Sequence, residues 1–311
     1  MSNINVMYLK YAVEVERARS ISRAAQRLYI AQPNLSRAIK DLEDDLGITI
    51  FNRTPHGMLV TPEGEEFLER AKKILRRIEE LEDIYSTDNE KKAQSFSVSV
   101  PRSSYMSYAF SRFAASIDNQ RPAELFYKET NSSRAITNIL EAGYRLGIIR
   151  YAEVFDRYFK DMLENKKLTC EMISEFSYLL VMSKQHPLAN KEDVTFEDLE
   201  PYTEIAHADP YVPSLSMAAV RKEELPDNID RRIFVFERAS QMELLSHNHN
   251  TFMWISPMPQ ETIDHYGLVQ KRCSCNTKKY KDVLIYRQNY KLTELDKRFI
   301  EEVYKARDEI F

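Results

Sequence analysis

The chain has 311 residues, of which 30% are charged and 43% hydrophobic, and this balance is typical of a soluble globular protein with more than one domain. Its formal net charge of -4 argues against a protein that coats nucleic acid non-specifically, although recognition needs only one basic face. There is no secretory signal, and no apolar stretch reaches the roughly 20 residues that span a bilayer. We therefore expect a cytoplasmic protein without a membrane partner.

Helical patterns occupy the first part of the chain. Residues 7–15 predict a first helix, and residues 20–43 are typical of two further helices joined by a turn. Ser20 or Ser22 can cap the first helix of this pair. Pro33 suits the first turn of the second helix, where no amide partner is needed.

The second helix of the pair is predicted to have two different faces. Apolar residues spaced at i, i+4, i+7 and i+11 predict a buried stripe, formed by Leu35, Ile39, Leu42 and Leu46. A polar, cationic face lies roughly 130° away. Such a face suits a DNA major groove, where Arg37 can bond guanine and Gln32 adenine. The residues predicted to contact DNA here are Ser22, Gln32, Pro33, Asn34, Ser36, Arg37 and Lys40. The alternative is a solvated face on an ordinary helical hairpin.

A two-stranded wing is predicted after this helix. Apolar and polar residues alternate over residues 48–53, which predicts a strand. Residues 54–57 predict a turn, and residues 58–60 predict the second strand. Arg53 and His56 near the tip of this wing would lie close to a phosphate backbone if the helix occupies the groove.

At this point the sequence resembles the LysR-type transcriptional regulators of bacteria. The resemblance is carried by ordered motifs, namely Ser22-Arg23-Ala24-Ala25, Ala31-Gln32-Pro33-Asn34-Leu35-Ser36-Arg37-Ala38-Ile39, Leu42-Glu43, Leu46-Gly47, Ile50-Phe51-Asn52-Arg53-Thr54 and Val60-Thr61-Pro62-Glu63-Gly64. Arg19 departs from the family, which commonly has glycine there. The resemblance implies an α/β protein with an N-terminal winged helix-turn-helix, a long linker helix and a two-lobed effector domain similar to periplasmic solute-binding proteins. The implied partners are double-stranded promoter DNA, a small-molecule effector and further copies of the chain, as a dimer or tetramer.

The domain boundaries that we expect follow from these patterns and this resemblance. They are 1–60 for the winged helix-turn-helix, 61–90 for the linker helix, 91–169 with 276–311 for lobe I, and 170–275 for lobe II. The two strands that join the lobes would cross near Cys170 and Arg272.

The linker helix carries apolar residues at alternating steps of four and three, the spacing of a coiled-coil seam. We predict that these residues form a dimer interface: Phe67, Ala71, Ile74, Ile78, Leu81 and Tyr85. A dimer would present two recognition helices to pseudo-palindromic DNA. The alternative is an amphipathic helix that packs on its own domain.

Strands and helices alternate over residues 96–149, which predicts a parallel sheet with a ligand at the carboxyl ends of its strands. By resemblance, the pocket uses the turns after the first two strands and a loop in lobe II, with residues Arg102, Ser103, Ser104, Thr130, Asn131, Arg150, Pro210 and Tyr211. Hydroxyls and free amides suit a small anion, and Arg102 or Arg150 can add positive charge. The alternative is that these are only turn and cap residues.

Other chemistry has weak support in the sequence. His247 and His249 have the spacing of a metal pair but no evident third ligand. Cys170, Cys273 and Cys275 could form a redox switch, although idle reduced thiols are the simpler interpretation. No phosphate loop or nucleophile motif stands out, so we expect no cofactor, metal or enzyme activity. The alternative functions are a ligand-independent architectural DNA-binding protein, or a solute-binding protein or enzyme on the same lobes.

Overall fold

The computed structural model describes most of the chain, namely residues 5–54, 57–85, 93–208 and 229–311. The chain divides into two compact units, Met1–Lys92 and Ala93–Phe311. Among the described helices, none combines the length and the apolar character needed to cross a membrane.

The first unit is a winged helix-turn-helix followed by a long helix, as predicted. Its described elements are α1 (Val6–Ala18), α2 (Ile21–Arg27), α3 (Gln32–Leu46), β1 (Phe51–Thr54), β2 (Gly57–Val60) and α4 (Pro62–Tyr85). Ser20 caps the N-terminus of α2, where its hydroxyl accepts the Arg23 amide at 3.4 Å. Gly47 ends α3 in the left-handed conformation. The predicted stripe on α3 lies in the core of this unit, together with Ala24 and Ala25 of α2.

The first strand of the wing begins later than predicted. The amides of Ile50 and Phe51 donate to Glu43 Oε1 on α3, at 2.6 and 2.9 Å. The chain before Phe51 is therefore held by α3, and the antiparallel pairing of β1 with β2 begins at Phe51, opposite Val60.

The wing is attached to the end of α1 through Arg19. This residue is left-handed, with φ 49°, and its carbonyl accepts the Met58 amide at 3.1 Å. At Gly57, which has φ 119°, a Cβ would lie 2.6 Å from the Arg19 oxygen. Glycine is therefore required at this end of β2.

The second unit contains two five-stranded sheets. The first sheet and its helices form lobe I, from β3 (Gln94–Val100), α5 (Ser104–Ala115), β4 (Ala123–Glu129), α6 (Ser132–Leu140), β5 (Leu146–Ala152), α7 (Asp156–Asn165), β6 (Leu168–Phe176), β12 (Tyr280–Arg287) and α11 (Glu294–Ile310). The strand order is β4-β3-β5-β12-β6. β3 is parallel to β4 and β5, as predicted, whereas β12 is antiparallel to both of its neighbours. Apolar cores lie on both faces, under α5 with α11 and under α6 with α7.

The second sheet forms lobe II. Its described elements are β7 (Leu179–Ser183), α8 (Phe196–Leu199), β8 (Thr203–His207), β9 (Arg232–Val235), α9 (Arg238–His247), β10 (Thr251–Ile255), α10 (Gln260–His265) and β11 (Leu268–Lys271). The strand order is β11-β7-β10-β8-β9, in which β10, β8 and β9 are parallel.

The prediction that the chain crosses between the lobes near Cys170 is wrong. All of β6 pairs with β12, from Leu168 opposite Arg287 to Phe176 opposite Tyr280. Residues 170–176 therefore belong to lobe I, and the crossing follows Phe176. The return connection lies between β11 and β12, where the side-chain Nδ2 of Asn276 donates to the Tyr178 carbonyl at 3.2 Å.

Candidate functional site

Helix α3 separates an apolar face from a polar one. Leu35, Ile39 and Leu42 are at most 3% exposed. The residues that the sequence assigned to the other face are exposed, apart from half-buried Ser36, and they are Gln32, Pro33, Asn34, Ser36, Arg37 and Lys40. Ser22, in the first turn of α2, is also exposed. The fold of the first unit therefore presents these polar groups to solvent on a rigid support.

The wing reaches this polar face through Arg53. Arg53 Nη2 donates to Ser36 Oγ at 2.8 Å, which places the guanidinium of β1 beside α3. One basic surface thus combines residues from the helix and the wing. His56, the other residue predicted at the wing tip, lies outside the described residues.

The first half of α4 packs on α1 of the same unit. Ala71 is 1% exposed in a cluster with Leu9 and Leu75, and Phe67 is partly buried against it. This contradicts the prediction that Ala71 lies in a dimer seam, because α1 already covers it. Farther along α4, Ile74 is 46% exposed and Leu81 60%.

Two further residues were predicted to lie in the dimer interface. Ile78 is half-buried, and Tyr85 ends α4, with its side chain outside the description. Ile74, Ile78 and Leu81 are spaced at four and three and therefore share one side of the helix.

Polar side chains converge where the strands of lobe I end. Ser103 precedes α5 and Ser104 begins it, after β3, while Thr130 follows β4; all three are buried. Asn131 caps α6 by accepting the Arg134 amide at 3.0 Å. These predicted residues lie together because β3 and β4 are parallel neighbours. Pro210 and Tyr211 lie outside the described residues.

Arg150 is held in a buried ion pair. Its Nε and Nη2 each donate to an Asp282 carboxylate oxygen at 2.7 Å, and the Tyr105 hydroxyl donates to the same carboxylate at 2.5 Å. Burial would lower the pKa of Arg150, but Asp282 raises it above its ordinary value. Because Asp282 neutralises this guanidinium, the structure contradicts the prediction that Arg150 offers a fixed positive charge to an effector.

Three residues that the sequence analysis missed connect the lobes at this edge. Arg238, the first residue of α9, donates from Nε to Oε1 of Glu129, the last residue of β4, at 2.8 Å. Ser256, just after β10, shares a hydrogen bond of 2.9 Å with Ser103. Arg102 lies close enough for its charge to lower the pKa of Glu129, although burial raises it overall. Glu129 follows the strand predicted over residues 123–128, which was an available signal. Ser256 was assigned to the strand predicted over residues 252–257, and α9 was not predicted.

The histidines and cysteines noted in the sequence have other partners. His247 Nδ1 lies 3.0 Å from the Glu243 carbonyl, and His249 Nδ1 lies 3.0 Å from Ser183 Oγ. Over the described part of the chain, no three His, Cys, Asp or Glu residues gather as metal ligands. Cys170 lies six residues before the end of β6, about 20 Å along the strand. Cys273 lies in the core of lobe II, so a switch that joins it to Cys170 is contradicted.

Known proteins resemble this chain over its N-terminal region and, at lower identity, over longer regions. Residues 7–65 match the family described as "Bacterial regulatory helix-turn-helix protein, lysR family". The HTH-type transcriptional regulator YcgK of Bacillus subtilis (strain 168) is 41% identical over 78 residues, which are 25% of this chain and 24% of YcgK. The probable RuBisCO transcriptional regulator of Phaeodactylum tricornutum (strain CCAP 1055/1) is 29% identical over 201 residues, 64% of this chain and 62% of that protein. The chain thus matches less than two thirds of the length of either relative.

The fold is shared over a longer region. The crystal structure of full-length CbnR, solved with its target DNA, covers 97% of this chain and 100% of its own, with a TM-score of 0.64 and 17% identity. This likeness shows a common architecture of winged helix-turn-helix, linker helix and two lobes. Over residues 7–65 the chain thus matches the lysR family of bacterial regulatory helix-turn-helix proteins, and over its length it shares their fold.

Proposed function

We propose that this protein is a sequence-specific DNA-binding transcriptional regulator of the cytoplasm. The observation that carries the proposal is α3, whose buried stripe turns Gln32, Arg37 and Lys40 outward while Arg53 from the wing joins the same surface. A polar and cationic helix face with a basic wing beside it matches what a major groove and its phosphates require.

Each DNA-binding residue has a proposed role. Arg37 would read guanine through two hydrogen bonds, and Gln32 would read adenine in the same manner. The remaining residues would contact base edges or phosphates, and they are Ser22, Pro33, Asn34, Ser36, Lys40, Arg53 and His56.

The proposed assembly is a homodimer or a tetramer of this chain. Its support is one apolar side of α4, on which Ile74 and Leu81 are exposed and Ile78 is half-buried, since apolar residues at this spacing suit a helix-to-helix contact. Two copies would place two α3 helices on half-sites of pseudo-palindromic promoter DNA.

We propose a small anionic metabolite as effector, bound between the lobes. The hydroxyls of Ser103, Ser104 and Thr130, the Asn131 cap and the Arg102 charge lie at helix N-termini, which favour negative charge. Pro210 and Tyr211 keep their predicted place in this cleft as part of the proposal. We propose no catalytic step, because the relatives are named as regulators.

The first experiment measures fluorescence anisotropy of the protein with its own upstream intergenic DNA and with scrambled DNA, across a salt series. Arg37→Ala should lose about 1–3 kcal/mol of the preference for its own DNA. Arg157→Ala is the control, because it removes the same charge from an exposed side chain in the second unit. If wild type and both variants bind both DNAs alike, the contacts are only to phosphate and the proposed reading face is wrong.

A further inference from the structure

An ion pair between Arg238 and Glu129 lies at the edge where the lobes meet. Arg238 belongs to lobe II and Glu129 to lobe I, and their 2.8 Å hydrogen bond crosses between the lobes. Arg238 Nη1 also lies 3.5 Å from Ser104 Oγ. The Ser103–Ser256 contact adds a second, uncharged connection. Groups from both lobes therefore meet where the proposed effector would bind.

The pair is partly removed from water. The side chains of Arg238 and Glu129 are 25% and 19% exposed, and the Tyr127 hydroxyl donates to Glu129 Oε1 at 3.3 Å. Burial raises the pKa of Glu129, whereas the Arg238 guanidinium acts in the opposite direction. Separating the pair without replacing each partner would leave charges poorly compensated. A molecule that enters between these groups must therefore offer a hydrogen-bond acceptor to Arg238 and a hydrogen-bond donor to Glu129.

We propose that Arg238 and Glu129 together select an effector that is a carboxylate with a hydrogen-bond donor on the neighbouring carbon, as in an α-amino or α-hydroxy acid. The carboxylate of the effector takes the place of Glu129 on the guanidinium. The donor of the effector takes the place of Arg238 on Glu129. In the free protein, Glu129 thus occupies the anion position itself. This inference rests on the proposed effector cleft and adds the chemical class of its ligand.

The test is calorimetric titration of the full chain with the proteinogenic amino acids and with their α-hydroxy analogues and, for each compound that binds, with the analogue that lacks the donor. Wild type should bind at least one amino or hydroxy acid about 10- to 100-fold more tightly than the analogue without the donor. Glu129→Gln should reduce that preference. Arg238→Gln should weaken every ligand about 10- to 100-fold, and Arg238→Lys should weaken them less.

Two control variants separate selection from stability. Ser256→Ala removes the uncharged contact, so it should weaken all ligands alike and leave the preference unchanged. Arg232→Gln removes an ion pair with Glu204, 2.9 Å long and wholly within lobe II, and should leave ligand binding unchanged. The inference is overturned if no amino or hydroxy acid binds wild type, or if the preference survives Glu129→Gln intact. DNA binding without ligand is measured separately, so a failure of the proposed DNA-binding function is recognised independently.

Discussion

Arg19 shows how a single residue can store strain at a turn. An L-residue in the left-handed region costs roughly 1–2 kcal/mol, and Arg19 has φ 49° at the end of α1. Glycine removes this strain but loses more chain entropy on folding. We expect Arg19→Gly to stabilise the first unit by about 0.5–1 kcal/mol, measured as slower hydrogen exchange in peptides from residues 6–60.

Arg17 provides the matched control for this substitution. It is exposed in the last turn of α1, where the backbone is helical, so Arg17→Gly should destabilise the unit by about 1 kcal/mol. If both glycines speed exchange equally, the backbone conformation at Arg19 is not strained.

His186 couples the stability of lobe II to pH. The residue is 3% exposed, its Nδ1 accepts the Leu188 amide at 3.0 Å, and burial lowers its pKa to about 4. A histidine with a depressed folded pKa stabilises the protein above pH 6.5, and that stabilisation is lost as pH falls toward 4. We expect His186→Asn to be less stable near neutrality but to lose about 2 kcal/mol less than wild type between pH 7.5 and 4.5.

Urea unfolding followed by the fluorescence of Trp254 measures this difference, because Trp254 is the single tryptophan and lies in the same lobe. His247→Asn serves as the control, since its side chain is 79% exposed. Equal pH dependence of wild type and His186→Asn would contradict the assignment.

At the scale of elements, α4 has two roles along its length. Ala71 and Leu75 pack against α1, whereas Ile74 and Leu81 are exposed. We expect Leu81→Asp to weaken self-association at least about tenfold, because a carboxylate would be buried against apolar residues of the second copy. Sedimentation equilibrium measures the dissociation constant.

Leu59→Asp is the matched control for Leu81→Asp. Leu59 lies on β2 and is 55% exposed, so the substitution makes a similar change elsewhere in the first unit. If Leu81→Asp and Leu59→Asp associate as wild type does, the proposed α4 interface is wrong.

At the scale of the whole molecule, the two units depend differently on local sequence. The helix-turn-helix is specified by nearby residues, as the caps Ser20 and Gly47 show. The lobes depend on distant pairings, because β12 returns from the end of the chain to lie between β5 and β6. That return placed residues 170–176 in lobe I, which their local pattern did not indicate.

Periodicity, caps and family motifs in the sequence by themselves determined the winged helix-turn-helix, the two faces of α3 and the parallel start of lobe I. These features arise from contacts between residues close in the chain, so their spacing is visible in the sequence. Only the tertiary structure decided that Asp282 neutralises Arg150, that α1 covers Ala71 and that Arg238 meets Glu129. Each of these pairs lies far apart in the chain, and a residue's type and spacing do not reveal which distant partner the fold brings to it.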